Sequence, residues 1–264
     1  MSNVGSSDIL KKKVMMYCQI GRSLDMAKFA IKSAIENAGM PEEEFGIVFL
    51  CWKTSPEVYE WLKENGYQYV DMEYDEGKGF LWNLYKGWNL GYTEGLKYAD
   101  YICPIATDHA FYKDWLKNLY KNAAPNRIVN CKLIEPGTLP TLHTAKNFGL
   151  TIEDDFDYKG FEEFASKLYE DGRDILIKSK ESYGHRLDAM PFMLSRDVWE
   201  KFGPMAQTLI NNQYDWQGGQ VTGDTDFFNR CEAGGVEVTK ALDAISYHCG
   251  GVETRRNADK GIYT

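Results

Sequence analysis

The chain has 264 residues, of which 44% are hydrophobic and 26% charged, the composition of a globular protein with enough apolar material for a sizeable core. Its formal net charge of −9 argues against a broad electrostatic footprint on DNA or RNA, where binding depends on neutralising phosphates. No window approaches the roughly 20 apolar residues that span a bilayer, and Met1–Asp8 is polar rather than a signal-peptide start, so a cytoplasmic protein without membrane attachment is expected.

Lys11, Lys12 and Lys13 form a solvated lead-in to the first apolar run, Val14 to Ile20, which reads as a strand ending at Gly21-Arg22. Ala27, Ala30, Ile31, Ala34, Ile35 and Ala38 then repeat with the spacing of an amphipathic helix, stopped by Gly39. Ile47 to Trp52 is a second strand, and Ser55-Pro56-Glu57 opens a helix that ends at Asn65-Gly66. Tyr67 to Met72 is a third strand. Phe80, Leu81, Leu84, Tyr85 and Trp88 mark the next helix, and Tyr101 to Ala106 is a strand that stops at Thr107-Asp108.

Alternation of strand and helix predicts an α/β fold with a mostly parallel central sheet and helices on both faces, because parallel strands need crossovers. Ligands bind such sheets at the carboxyl ends of the strands, which is where Asp108 falls. Further along, Arg127 to Ile134 reads as a strand, Pro136 to Asp157 as irregular, and Phe161 to Tyr169 as a helix. The polar span 171–188 is expected to be a mobile loop over the site. Met190 to Ser195 is a strand, Asp197 to Phe202 a short helix, Asp224 to Ala233 a helix, and Val236–Thr239 and Ala244–His248 two final short strands. One domain over 1–264 is expected, falling into a first half over 14–110 and a second over 111–264. The six cysteines show no C-x-x-C pair and mostly lie in apolar runs, which predicts buried free thiols rather than disulfides or a zinc site.

Three groups of residues carry chemistry. Ala106-Thr107-Asp108-His109 places an acid at a strand end, where it can hold a divalent cation against a nucleotide diphosphate. Gly218-Gly219-Gln220-Val221-Thr222-Gly223-Asp224-Thr225-Asp226 puts two acids at the start of a helix. One of them reads as an N-cap and the other as a general base on an acceptor hydroxyl. Tyr247-His248-Cys249-Gly250-Gly251 ends a late strand on an imidazole.

In that order, and with the flanking segments Met193–Gly203 and Gly223–Gly235, these motifs resemble the C-terminal half of GT-A fold glycosyltransferases, family two especially. Tyr85-Lys86-Gly87-Trp88-Asn89-Leu90-Gly91 through Asp108 is similar to that family's R-N-x-G helix leading into its D-x-D strand. The resemblance implies a metal-dependent glycosyltransferase that moves a sugar, with inversion, from a nucleoside-diphosphate sugar such as a UDP-sugar, bound by the half over 14–110, to an acceptor hydroxyl bound by the half over 111–264. It assigns the metal to Asp108 and His248, with His109 as a substitute ligand, and the catalytic base to Asp224 with Asp226 as rival. Cys18, Gln19, Gly21, Arg22, Trp52, Asp75, Asn89, Thr107 and Asp108 are the donor-binding candidates. A mixed carboxylate and imidazole set suits Mn2+ better than Mg2+.

The chain departs from the family pattern at three places. Ala110 stands where D-x-D has its second acid, Gly223 stands where an E-D pair has its Glu, and Trp52-Lys53-Thr54 lacks the usual nucleoside-binding Asp. Asp75 could serve in its stead, and Trp52 could stack on a base or sugar. The first two departures also motivate a rival reading, a catalytically degenerate protein that binds a nucleotide or glycan. A nucleotidyltransferase and a dehydrogenase are disfavoured, since Gln19-Ile20-Gly21-Arg22 is neither the glycine-rich, arginine-containing loop of the first nor the G-x-G-x-x-G of the second. Expected acceptors are a glycan, a small molecule, or a hydroxylated base in viral DNA.

Overall fold

The computed structural model describes residues 11–21, 23–136, 146–149, 156–172, 176–178, 190–208 and 222–249. Strand β1 (Lys12–Ile20) leads into helix α1 (Leu24–Glu36), followed by β2 (Phe45–Cys51), α2 (Pro56–Glu64), β3 (Gln68–Asp71), α3 (Phe80–Gly95) and β4 (Ala99–Ala106). After these come β5 (His109–Phe111), α4 (Trp115–Lys121), β6 (Arg127–Ile134), α5 (Tyr158–Gly172) and β7 (Leu176–Lys178). The chain continues through β8 (Phe192–Ser195), α6 (Arg196–Phe202), α7 (Gly223–Ala233) and β9 (Glu237–His248). All nine strands form one sheet, ordered β3-β2-β1-β4-β8-β6-β9-β5, with β7 paired to β9.

Strands β1 to β4 pair in parallel, as the alternation with α1, α2 and α3 requires. The second half adds β8 antiparallel to both β4 and β6, and β9 parallel to β6, so the complete sheet is mixed. Strand β1 shows why both faces are covered. Val14, Met16, Cys18 and Ile20 enter one core with Ala27, Ile31, Val58, Leu62, Trp115 and Leu119 of α1, α2 and α4. Met15 and Tyr17 point the other way, into a core with Tyr85, Trp88, Tyr92, Trp199, Phe227 and Phe228 of α3, α6 and α7. Each large apolar side chain so buried contributes about 1.5–3 kcal/mol. A third cluster sets Phe161 and Ala165 of α5 against Ala110, Ile134, Ile245 and Tyr247.

Local capping fixes several boundaries, with Ser55 at the N-cap position of α2 but without a side-chain capping bond. Ser23 caps α1 by accepting from the Met26 amide, Pro56 occupies the first turn of α2, and Ser195 caps α6 through the Val198 amide. All six cysteines are buried and none is joined in a disulfide.

The last third differs from the sequence reading. The two short strands expected there are one continuous strand, β9, interrupted by a bulge: Cys131 pairs with Ala241 and Lys132 with Ile245, leaving Leu242–Ala244 as extra residues. Lys240 and Asp243, which lie between the two expected runs, are buried within the sheet, each residue being 1% exposed. Strand β5 and helix α4 were not expected. β5 has only three residues, and α4 begins after Asp114, whose φ of 61° is left-handed and gives no ordinary capping signal. Within the expected loop 171–188, residues 171–172 end α5 and 176–178 form β7 against β9; the rest lies outside the described residues, as do Gly218–Val221 and Gly250-Gly251.

Candidate active site

Because β1, β2 and β4 run parallel, their carboxyl ends at Ile20, Cys51 and Ala106 converge on one edge of the sheet. A cleft opens there. It is lined by Tyr17 and Gln19 of β1 and Gly21 just beyond it, Trp52 just beyond β2, Ile105 and Ala106 of β4 with Thr107 and Asp108 just beyond it, Phe80, Leu84 and Trp88 of α3, and Met190.

At one end of the cleft, strand pairing assembles a charged cluster. β5 lies antiparallel to the end of β9, so that His109 stands directly opposite His248, and the two rings stack with centroids 4.7 Å apart. Asp108 lies between them, its Oδ1 3.2 Å from His109 Nδ1 and its Oδ2 3.3 Å from His248 Nε2. The other nitrogen of His248, Nδ1, is 2.6 Å from Glu135 Oε1 at the end of β6. Burial opposes charge on Asp108, but His248 and His109 outweigh it and hold the carboxyl well below the usual carboxylate range. Burial likewise opposes protonation of His248, yet Asp108 and Glu135 together push its pKa up to about 10. Burial dominates at His109 and lowers its pKa.

This cluster fits a divalent cation. Ligand atoms of Asp108, His109 and His248 all lie within 4.8 Å of one another. Donors bound at 2.0–2.2 Å sit about 3–4.4 Å apart, so small side-chain movements suffice. His109 is 1% exposed and neither ring nitrogen makes an aligned hydrogen bond among the described residues, an arrangement that is costly unless something else fills the gap. Two carboxylates facing one protonated imidazole leave excess negative charge for a cation to balance. The Glu135–His248 contact is the kind of outer contact that fixes the tautomer of a metal-binding histidine, leaving Nε2 for the ion.

Position 110 cannot add the missing second acid. Neighbouring residues of a strand face opposite ways, and Ala110 is fully buried in the third core beside Ile134 and Tyr247. The second carboxylate near the cluster comes instead from Glu135, which lies outside the sequence motifs. Its signal was available, an acid immediately after an apolar strand, the same signal that singled out Asp108.

The remaining candidates divide. Gln19 lines the cleft, with its amide nitrogen donating to Leu84 O at 2.8 Å and its Oε1 buried without a partner among the described residues. Trp52 also lines the cleft, 5% exposed and stacked on Tyr74 at 5.4 Å. Gly21 and Thr107 line it as well, whereas Arg22 lies outside the described residues. The Cys18 side chain points into the opposite core and is fully buried. Asp75 does not line the cleft; its carboxylate accepts from the Gly77 amide at 3.0 Å, in a turn that the buried Asn83 ties to α3 through Asp75, Lys78 and Gly79. Asn89 is likewise engaged elsewhere, its amide exchanging two 2.9 Å hydrogen bonds with the Met205 backbone.

At the start of α7 the two acids are distinct. Asp226 accepts from Arg230 Nε at 2.8 Å, one turn along the helix, and Arg230 also donates to Phe202 O and Pro204 O. Asp224 is held by Tyr85 of α3, whose hydroxyl donates to Oδ1 at 2.8 Å. Gly223 beside it is tightly enclosed: a Cβ there would lie 2.0 Å from Ala206 O and 3.2 Å from Tyr85 Cδ2.

No protein-family model and no curated protein matches the chain. Solved structures do. A crystal structure of GalNAc-T7 with UDP, GalNAc and Mn2+ superposes with a TM-score of 0.60 at 9% identity, covering 92% of this chain and 44% of that one. A crystal structure of TarS from S. aureus gives a TM-score of 0.56 at 10% identity, covering 95% and 39%. The chain thus spans less than half the length of either protein. No helix among the described residues is long and apolar enough to cross a membrane. With both neighbours being GT-A glycosyltransferases, the architecture implied by the order of the sequence motifs is the one found: the chain has the GT-A fold of glycosyltransferases.

Proposed function

We propose that the protein is a glycosyltransferase that moves a sugar, with inversion, from a UDP-sugar to an acceptor hydroxyl. The observation that carries this reading is the Asp108–His109–His248 cluster, backed by Glu135, at the strand-end cleft of a GT-A fold. The GalNAc-T7 neighbour, solved with UDP, GalNAc and Mn2+, supports the choice of donor and ion. Asp108 and His248 would hold Mn2+, with His109 as third ligand, and the mixed oxygen and nitrogen set favours Mn2+ over Mg2+. When bound, that ion stabilises negative charge on the departing diphosphate. Gln19, Gly21, Trp52 and Thr107 line the donor cleft, and Trp52 offers an aromatic surface to a base or sugar.

Asp224 is the proposed base. Asp226 is committed to Arg230, whereas among the described residues the hydrogen bonds to Asp224 all go to Oδ1. Asp224 takes the proton of the acceptor hydroxyl as its oxygen attacks the anomeric carbon; the bond to the diphosphate oxygen breaks and the nucleoside diphosphate leaves with the electron pair. General-base assistance of this kind contributes on the order of 10² to 10⁴-fold. A glycan, a small molecule or a hydroxylated base in DNA all present such a hydroxyl.

A second reading is a nucleotide- or glycan-binding protein without turnover, favoured by the enclosure of positions 110 and 223, where no acid can be accommodated in place. Incubation with a panel of UDP-sugars, Mn2+ and candidate acceptors distinguishes the two. Metal-dependent UDP release that disappears in Asp224→Asn, with UDP binding retained, is expected for the enzyme. UDP binding without release under every condition favours the second reading, and full activity of Asp224→Asn overturns the assignment of the base.

A further inference from the structure

We infer that Tyr85 is the positioning residue of the catalytic base, filling the role that an acid beside Asp224 would otherwise have; the inference rests on the glycosyltransfer reading above. Three donors converge on a single oxygen of Asp224: the Tyr85 hydroxyl at 2.8 Å, the Thr222 hydroxyl at 2.5 Å and the Thr225 amide at 2.8 Å all reach Oδ1. Oδ2 takes no hydrogen bond among the described residues. A carboxylate held this way has a fixed orientation and a single oxygen available to an incoming hydroxyl. Two of the donors are local to the start of α7, within two residues of Asp224. Among the described residues, Tyr85 alone comes from elsewhere, 139 residues away on α3, the helix whose Phe80, Leu84 and Trp88 line the donor cleft. It therefore registers the base against the element that carries the donor site.

The packing around Tyr85 is consistent with a dedicated contact. Its ring is 3% exposed and meets Trp88 edge-on at 5.5 Å, so the hydroxyl has little freedom. Burial, with Asp224 adding to it, pushes its pKa far above the usual tyrosine value, so it remains a donor throughout the neutral range. Gly223 makes the approach possible, since a Cβ there would lie 3.2 Å from the Tyr85 ring and 2.0 Å from Ala206 O. The glycine that breaks the E-D pattern and the tyrosine that reaches Asp224 are thus one arrangement. The other charged groups on this turn, Asp226 and Arg230, are paired with each other.

Tyr85→Phe keeps the packed ring and removes only the hydroxyl, so its melting temperature should stay within a few degrees of the wild type. Loss of a hydrogen bond to a charged group predicts a fall in kcat of about 10- to 100-fold. KM for the donor should change less than about twofold, because the hydroxyl acts on the base and not on donor binding. In the Asp224→Asn background the same change should have no further effect on the residual rate, because the two groups act as a unit. A Tyr85→Phe enzyme with wild-type kcat, alongside an inactive Asp224→Asn, overturns the role of Tyr85 and leaves the glycosyltransfer reading intact. A rise in donor KM at unchanged kcat also overturns it. Wild-type protein that transfers no sugar from any donor defeats the reading and this inference together.

Discussion

Glu135 and His248 are joined at 2.6 Å, and that contact orients the imidazole so that Nε2 looks toward Asp108 Oδ2 at 3.3 Å. The expected consequence is measurable without turnover. Glu135→Ala should weaken Mn2+ binding by about 10- to 100-fold, as loss of an outer contact to a ligating histidine usually does. Glu135→Gln, which can still accept from Nδ1, should weaken it less. Calorimetric titration of the three proteins with Mn2+ checks the order, and equal affinities would remove Glu135 from the site.

The pH dependence of the metal-free protein follows from His248. Its pKa is raised to about 10 in the folded state by Asp108 and Glu135, against an ordinary value near 6.5. A raised pKa stabilises the fold fully below the unfolded value, and this contribution is lost as pH rises from about 6.5 through 10. Asp108 has the opposite sign: its depressed pKa stabilises above the ordinary carboxylate value and is lost as pH falls below it. Urea melts of the metal-free wild type should therefore show stability declining between pH 7 and 10 relative to His248→Gln. Parallel profiles for the two proteins would contradict the pairing.

How much of this was legible in the sequence depends on the range of the interaction. The first half of the sheet was readable because Val14–Ile20, Ile47–Trp52 and Tyr101–Ala106 are apolar runs separated by amphipathic helices, a signal contained within each segment. The single strand β9 was not, because its interior carries the buried Lys240 and Asp243 and a bulge at 242–244 that only the pairing with β6 reveals. Asp108 and His248 stood out as strand-end residues, and their meeting depends on β5, a strand too short to signal itself. Tyr85 and Asp224 are 139 positions apart, and nothing local to either predicts the contact.

Gly223 should tolerate no side chain. A methyl group 2.0 Å from Ala206 O forces the backbone or Ala206 to move, and overpacking of this sort costs about 1–3 kcal/mol. Gly223→Ala is thus expected to lower stability by that amount in denaturant unfolding and to reduce kcat by displacing Tyr85. A change below about 0.5 kcal/mol, the usual range of a surface substitution, would show that the enclosure relaxes freely.

Asp226 and Asp224 are separable by mutation. Asp226 and Arg230 form an i,i+4 pair at 2.8 Å with side chains 18% and 38% exposed, so Asp226→Asn should cost only about 0.5 kcal/mol and leave kcat within a few-fold of the wild type. Asp224→Asn should leave stability similar and remove transfer. Steady-state rates for the two variants under saturating donor check this, and the reverse pattern would exchange their roles.

Asn89 provides a test at a residue that motif resemblance placed near the donor. Its Nδ2 donates to Met205 O and its Oδ1 accepts from the Met205 amide, both at 2.9 Å, so the side chain closes a ring with the backbone of the segment after α6. Met205 is 1% exposed, and its two backbone groups would lose their partners if the amide were removed. Buried groups left unpaired cost about 1–3 kcal/mol, so Asn89→Ala is expected to lower the melting temperature clearly. Affinity for UDP should be unchanged, because Asn89 does not line the cleft. Thermal melting and UDP titration of the same preparation separate the two roles: reduced stability with intact UDP binding supports a clamp on Met205, whereas intact stability with weakened UDP binding would return Asn89 to the donor site.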